Sequence, residues 1–295
     1  MSCAVDIICS ARNAGIQFAA TIDSVLAQTY RDFRLIIIDD GSTDDHTKRI
    51  AQHAAIKDER VAVHRNDQSL GLTVNLVNHV ARSQADFIAR IDAGDRWLDT
   101  KLEKQLCVMR DSPDLLVLGT QCEYVSGTGE RLGKSRLGES DEDLRTAIEQ
   151  RRGVFTHPSI IFRRAINYRR QFLYSQDLDL YLRASEKGKL QCLSEALTLV
   201  LIDPNGITLE KKYLQRQYGN LAYRCQKARI QGVEEPPLTV RDNACERQLW
   251  RCARPFYQRY IAGRNQGKST LVWGAYLLLS LLIFPPLIGD YLRKL

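Results

Sequence analysis

The sequence predicts an α/β protein built on a doubly wound, mostly parallel sheet and followed by a helical C-terminal extension. Three observations carry that expectation. Strand-like and helix-like segments alternate through the first 110 residues, the pattern from which βα units assemble a parallel sheet. Two strand-like runs, 35–38 and 87–91, are largely apolar, as strands covered on both faces are, and each runs directly into closely spaced aspartates. The charge also changes character near residue 205. From there on 15 Lys/Arg face 6 Asp/Glu, against 27 and 29 before it.

Taken in order, residues 4–9 read as a strand and 16–28 as a helix. A second strand at 33–39 precedes a helix at 43–57, for which Ser42 or Thr43 is an available cap. A short strand at 60–64, a helix at 72–82, a strand at 87–91 and a helix at 99–110 complete the repeat. SARNAG stands after the first strand instead of Gly-x-Gly-x-x-Gly, which disfavours a dinucleotide oxidoreductase. Short strands follow at 115–125, then a turn at Gly127 and Gly129, then a helix at 141–150 with Ser140 as its cap. After a strand at 159–162, residues 176–187 form a helix with Leu178, Tyr181, Leu182 and Ser185 on one face. An apolar strand at 197–202 ends in Asp203-Pro204-Asn205-Gly206, a strong turn signal that separates a domain 1–205 from a region 206–295.

At 295 residues, 44% of them hydrophobic, the chain can bury a sizeable core and is not disordered. Eight cysteines without a Cys-x-x-Cys pair, and no visible signal sequence, lead to the expectation of reduced thiols and a cytosolic catalytic domain. The C-terminal region is helical and basic, which suits an anionic partner, membrane or nucleic acid. Within 248–264, Leu249, Ala253, Phe256, Tyr257 and Tyr260 gather toward one side. Arg247, Arg251, Arg254 and Arg259 lie mainly elsewhere, and Pro255 kinks this helix or starts it. Basic amphipathic helices with aromatics lie well in a membrane interface. Residues 271–289 carry no charge but barely reach spanning length, and Pro285-Pro286 interrupts them. A bilayer-embedded or interfacial anchor is expected ahead of a crossing helix; packing against the protein or a second copy stays open.

The chemistry concentrates at strand ends, where ligands bind in open α/β sheets. Asp39 and Asp40 end the second strand, where a carboxylate can accept from a nucleobase N–H or ribose hydroxyls, and Gly41 permits the turn. Asp92 and Asp95 follow the fourth strand, close enough to repel unless a cation shares them. A hard divalent ion carrying a diphosphate is the natural guest. Polar turns with helix caps are the plain alternative at both places.

The segments SVLAQTYRDFRLIIIDDGSTDD, RNDQSLGLTVNLVNHVARSQADFIARIDAGD, KLEKQ, HPSIIFRR and YSQDLDLYLRASEKG, in that order, resemble a family 2 glycosyltransferase of the GT-A fold. The bacterial exopolysaccharide and lipopolysaccharide branch is the most similar. The resemblance covers residues 4–208 and implies transfer of a sugar from a nucleotide-diphosphate sugar, usually with uridine, to an acceptor hydroxyl with inversion. It implies that Asp39 reads the base, that Asp92 holds ribose or metal, and that Asp177 is the catalytic base. Ser10, Arg12, Asn13, Asp40, Arg65, Asn66 and Arg90 join the donor side, His157 and Gln176 the acceptor side. At a helix N-terminus Asp177 is expected to have a lowered pKa. Three departures stand out. Gly94 replaces the usual second acid, leaving Asp92, Asp95 or both for Mg²⁺ or Mn²⁺. Ser10-Ala11-Arg12-Asn13 replaces Pro-x-Tyr-Asn, and Leu201 and Asp203 stand where an Arg and a His are common. Asp203 is an oxygen ligand or a turn former.

The expected partners are a sugar nucleotide, a lipid-linked saccharide acceptor and an anionic membrane at the cytoplasmic face of a bacterial inner membrane. Nucleic acid is disfavoured and a homo-oligomer stays open. A catalytically silent sugar-nucleotide binder and a nucleotidyltransferase are the rival readings.

Overall fold

The computed structural model describes residues 4–202, 211–265 and 270–286. The chain divides into two compact units, Met1–Ile148 with Gly153–Leu201, and Glu149–Arg152 with Ile202–Leu295. The turn at 203–206, with Asp203, lies outside the described residues.

The first unit holds β1 (Val5–Ala11), α1 (Phe18–Leu26), β2 (Phe33–Asp39), α2 (Asp45–Lys57), β3 (Val61–Arg65), α3 (Leu72–Arg82) and β4 (Phe87–Arg90). There follow β5 (Arg96–Trp97), α4 (Lys101–Asp111), β6 (Leu115–Val125), β7 (Arg131–Lys134), α5 (Asp141–Glu149), β8 (Ile161–Arg163), α6 (Gln176–Ser185) and β9 (Lys189–Leu201). Sheet order is β3-β2-β1-β4-β8-β6-β9-β5, with β7 beside β6. β1 to β4 pair in parallel, and β6 pairs in parallel with β9. The apolar residues of β1 and β2 meet Phe18, Ile22 and Val25 of α1 and Leu102, Leu106 and Met109 of α4 in one core. Each such side chain stabilises the fold by about 1.5–3 kcal/mol through burial. Register then fixes the site: Ala11, Asp39 and Arg65 are successive partners across β1, β2 and β3, and Ile8 pairs with Arg90.

Several boundaries differ from expectation for local reasons. α2 is capped by Asp44, whose carboxylate accepts from the Thr47 N–H at 3.0 Å, and not by Ser42 or Thr43. Ser140 does cap α5: its Oγ accepts from the Asp143 N–H at 3.1 Å, and the Asp143 carboxylate accepts in return from the Ser140 N–H at 3.2 Å. β9 begins at Lys189, well before the apolar run, because Leu190 and Cys192 alternate inward with polar neighbours and register shifts interrupt its pairing with β6. The two-residue β5 and the edge strand β7 carry no periodic signal of their own.

The second unit contains α7 (Lys212–Ile230), α8 (Ala244–Asn265) and α9 (Thr270–Ile283). Pro255 lies inside α8, which starts eleven residues before it. Tyr213, Trp250, Ala253 and Phe284 form a small core, the Trp250 and Phe284 rings meeting edge to face with centroids 5.6 Å apart. Among the described residues, no helix is long and apolar enough to cross a membrane.

Candidate active site

The parallel strands deliver their carboxyl ends to one edge, and the polar residues there fall into two groups. In the first, Asp39 is buried and pairs with Arg65, Oδ2 to Nη1 at 2.7 Å, while its other oxygen accepts from the Ser42 N–H at 2.9 Å. Arg65 remains 44% exposed, so one flank of the pair faces solvent. Asp40 plays a different part. Its carboxylate accepts from Asn66 Nδ2, Ser69 Oγ and the Leu70 and Gly71 N–H groups at 2.7–3.0 Å, all from the loop after β3. Burial pushes its pKa up, but these bonds together with Asn75 overcome that and hold it down at about 2. Gly41 lets this loop close over it, for a Cβ there would sit 2.8 Å from the Ser69 nitrogen.

Asn13, at a left-handed φ of 50°, ties the β1–α1 loop to the β2–α2 loop. Its Oδ1 accepts from the Thr43 N–H at 2.8 Å, and its own N–H reaches Ser42 Oγ at 3.0 Å. Ser10 accepts from Asn75 Nδ2 at 3.0 Å, and Asn75 accepts in turn from Asn66. These contacts make Asp40, Asn13, Ser10 and Asn66 a frame that fixes the rim of the strand-end edge. Arg12 is exposed on that rim.

The second group lies at the end of β4. Arg90 is buried and its guanidinium forks onto both carboxylate oxygens of Asp92, which is itself 43% exposed. The Arg90 Nε has no partner among the described atoms. Gly94 adopts φ +109°, and a Cβ there would meet the Leu201 side chain at 3.2 Å. An aspartate at that position would be strained, so the second acid of this loop is Asp95. Its Oδ1 accepts from the Leu201 N–H at 2.8 Å, and burial with the nearby Asp92 charge raises its pKa.

Asp177 stands in the first turn of α6, after Ser175 at a left-handed φ of 52°. Its pKa is raised, not lowered as the helix terminus alone suggests. Burial outweighs the Leu178 N–H and the Arg90 charge, and Asp92 adds a smaller push upward. Desolvation removes far more charge stabilisation than half a unit of helix charge restores. Asp177, Arg90 and Asp92 thus lie within electrostatic reach of one another. His157 is buried, with Nε2 2.8 Å from the Tyr168 hydroxyl, and burial plus the Arg90 charge keep its pKa well below 6.5. Tyr168 in turn feels Arg90, Asp177 and Asp92. Gln176 is buried at the start of α6.

Two residues of this neighbourhood escaped the sequence reading. Tyr181 is buried with a hydroxyl unpartnered among the described residues, and Asp177 is the largest charge acting on it. Its spacing of four from Asp177 was the available signal. Tyr168 had none, being placed by its fold contact with His157. Asp179, one turn from neither, is fully buried and held by Arg169 and Arg183, an ion cluster that fixes α6.

For a divalent ion, no group of three or more His, Cys, Asp or Glu among the described residues is arranged to hold one. The donor set present is the part-exposed Asp92 with Asp95 behind it. Mg²⁺ is commonly held by one or two carboxylates plus substrate phosphates, so this set fits an ion arriving with a diphosphate.

A family model described as glycosyl transferase family 2 matches residues 6–171. The O-antigen biosynthesis glycosyltransferase WbnJ of Escherichia coli is 30% identical over 168 residues, 55% of this chain and 64% of that protein. The Escherichia coli UDP-Glc:alpha-D-GlcNAc-diphosphoundecaprenol beta-1,3-glucosyltransferase WfaP is 36% identical over 107 residues, 36% of this chain and 41% of that protein. The matched stretch spans less than two thirds of either relative. Among solved structures, S. aureus TarS 1-349 in complex with UDP-GlcNAc superposes with a TM-score of 0.60 at 13% identity, covering 100% of this chain and 92% of that one. That likeness is one of fold.

Proposed function

This chain belongs to glycosyl transferase family 2, and on that premise we propose that it moves a hexose from a UDP-sugar to a hydroxyl of a lipid-linked saccharide, with inversion, in surface polysaccharide assembly. The observation that carries the reading is the shared electrostatic neighbourhood of Asp177, Arg90 and Asp92, beside the strand edge that ends in Asp39 and Arg65. The donor and acceptor classes are supported by the activity for which relatives such as WfaP are named and by the fold likeness to TarS in complex with UDP-GlcNAc.

In this mechanism Asp39, kept in place by Arg65 and the Ser42 N–H, accepts from the uracil N–H. Asp40, Asn13, Ser10 and Asn66 hold the loops around the nucleoside, and Arg12 and Arg65 face the donor from the rim. Arg90 keeps Asp92 oriented; its effect on the donor passes through that carboxylate. Asp177 takes the proton of the acceptor hydroxyl as that oxygen attacks the anomeric carbon. The bond to the diphosphate breaks, and UDP leaves. The raised pKa makes Asp177 a stronger base than an ordinary carboxylate, closer to the operating pH that general base catalysis favours. His157 orients Tyr168 beside Asp177, and Gln176 lies on the acceptor side. Asp92 and Asp95 would hold Mg²⁺ or Mn²⁺, whose charge neutralises the departing diphosphate. The domain border at residue 205 and peripheral association with the cytoplasmic face of the inner membrane belong to the same proposal.

The test is a screen of UDP-, GDP- and dTDP-sugars for slow donor hydrolysis, with and without a lipid-linked acceptor. Release of UDP that accelerates with acceptor is the expected result. Binding of the donor with no turnover on any acceptor would leave a silent sugar-nucleotide binder, and diphosphate release from a nucleoside triphosphate would indicate a nucleotidyltransferase.

A further inference from the structure

Over its described side chains, 274–283, α9 is largely apolar, yet one side is covered and the other is not. Leu277 and Ser280 are buried, and Phe284, just past its end, joins Trp250 and Ala253 of α8 in the small core. The opposite stripe, Ala275, Leu278, Leu279 and Leu282, recurs at the three- and four-residue spacing of a single helix face. There Leu278 is 62% and Leu282 76% exposed. Large leucines so exposed in one stripe mark a surface that is covered by something in use.

The charges beside the stripe say what covers it. The Arg259 guanidinium sits 5.7 Å from the Tyr276 ring centroid, at the start of the leucine stripe. Arg251 and Arg259 are both exposed on α8, and neither has an acidic partner among the described residues. We infer that the outward face of α9, with Arg259 of α8 beside it, is an in-plane docking surface for an anionic lipid bilayer. This rests on the membrane-borne acceptor of the proposed function and names the surface that would reach it.

Length excludes the crossing alternative for this helix. Fourteen residues extend about 21 Å, short of a hydrocarbon core of about 30 Å. Such a helix lies along the interface, leucines down, with arginine and tyrosine at headgroup level. A second copy of the chain is the weaker occupant. A two-fold pair would bring the cations flanking one stripe toward those flanking the other, without an acid to separate them.

The experiment uses the full chain with vesicles of phosphatidylglycerol or of phosphatidylcholine at low salt. It compares the wild type, the double variant Leu278→Ser/Leu282→Ser, and Arg259→Gln by co-sedimentation, with light scattering for mass. Wild type is expected on phosphatidylglycerol vesicles only. The double variant should lose about tenfold in partitioning and Arg259→Gln about three- to fivefold. Both variants should keep the UDP-induced thermal shift and donor hydrolysis of the wild type. Vesicle binding by the double variant equal to wild type would overturn the inference. So would a wild-type dimer that the double variant dissociates. Wild type that ignores both vesicles sinks the membrane part of the proposed function too, whereas lost hydrolysis with vesicle binding intact sinks only the transferase reaction.

Discussion

Asp177 and Asp40 are both carboxylates at the strand-end edge, yet their surroundings push them in opposite directions. Asp177 is dominated by desolvation and its pKa rises. Asp177→Asn should lower turnover about 10²- to 10⁴-fold, as removal of a general base does, while leaving the UDP-induced thermal shift intact. In wild type the low-pH limb of kcat should fall above the usual carboxylate range, because the base works only when ionised and its proton leaves later than normal. A limb near pH 4 would refute the assignment. Asp40 is held down at about 2 by donors from Asn75, Ser69, Leu70 and Asn66 that overcome its burial. A lowered folded pKa gives stability that is complete above the unfolded value near 4 and lost as pH falls toward 2. Thermal melts of wild type should therefore decline over that window, and those of Asp40→Asn should start lower and decline less. The residue types at both positions were legible in the sequence; their roles were not, because the loop donating to Asp40 lies some thirty residues away.

Among the elements, α4 carries the least expected residue. Lys101 is fully buried, its Nζ donating to Gln105 Oε1 at 2.7 Å and lying 3.9 Å from the Trp97 ring centroid. Trp97 donates through Nε1 to the Pro158 carbonyl at 2.9 Å, which links this cluster to the turn bearing His157. Burial drives the Lys101 pKa down to about 7, though the aromatic face favours the charged form. Between that value and 10.5 the unfolded chain binds a proton that the folded one lacks, so stability rises with pH across the window. Lys101→Met should raise stability at pH 7.5 by on the order of 2–4 kcal/mol. The gain should shrink as pH approaches 10; denaturant melts at pH 7.5 and 9.5 check both. The element itself was readable as a helix over 99–110, and Leu102, Leu106 and Met109 are the residues it buries. The buried lysine was not, since lysine in a helix usually marks the solvent side. β9 shows the same limit: its apolar end was recognisable, while its first half is a strand only because β6 offers a partner.

On the scale of the whole molecule, donor binding should couple to stability. UDP at a hundredfold excess over its dissociation constant adds about 2.7 kcal/mol to the folded state, and Mg²⁺ or Mn²⁺ should add a further increment that EDTA removes. Asp92→Asn should abolish that increment while keeping the shift from UDP alone. An unchanged increment in the variant would show that the ion is held elsewhere. The order of strands and helices through residue 110 apart from β5, the apolar strands that form the core and the family to which the chain belongs were determined by the sequence itself, because periodicity and short motifs are local and survive without knowledge of neighbours. Tertiary structure decided the rest. It turned Asp95 inward to the Leu201 N–H, required glycine at position 94, joined Tyr168 to His157 and left one leucine stripe of α9 uncovered. Burial, charge coupling and hydrogen-bond partnership depend on which distant segments meet, and a linear pattern carries no measure of that distance.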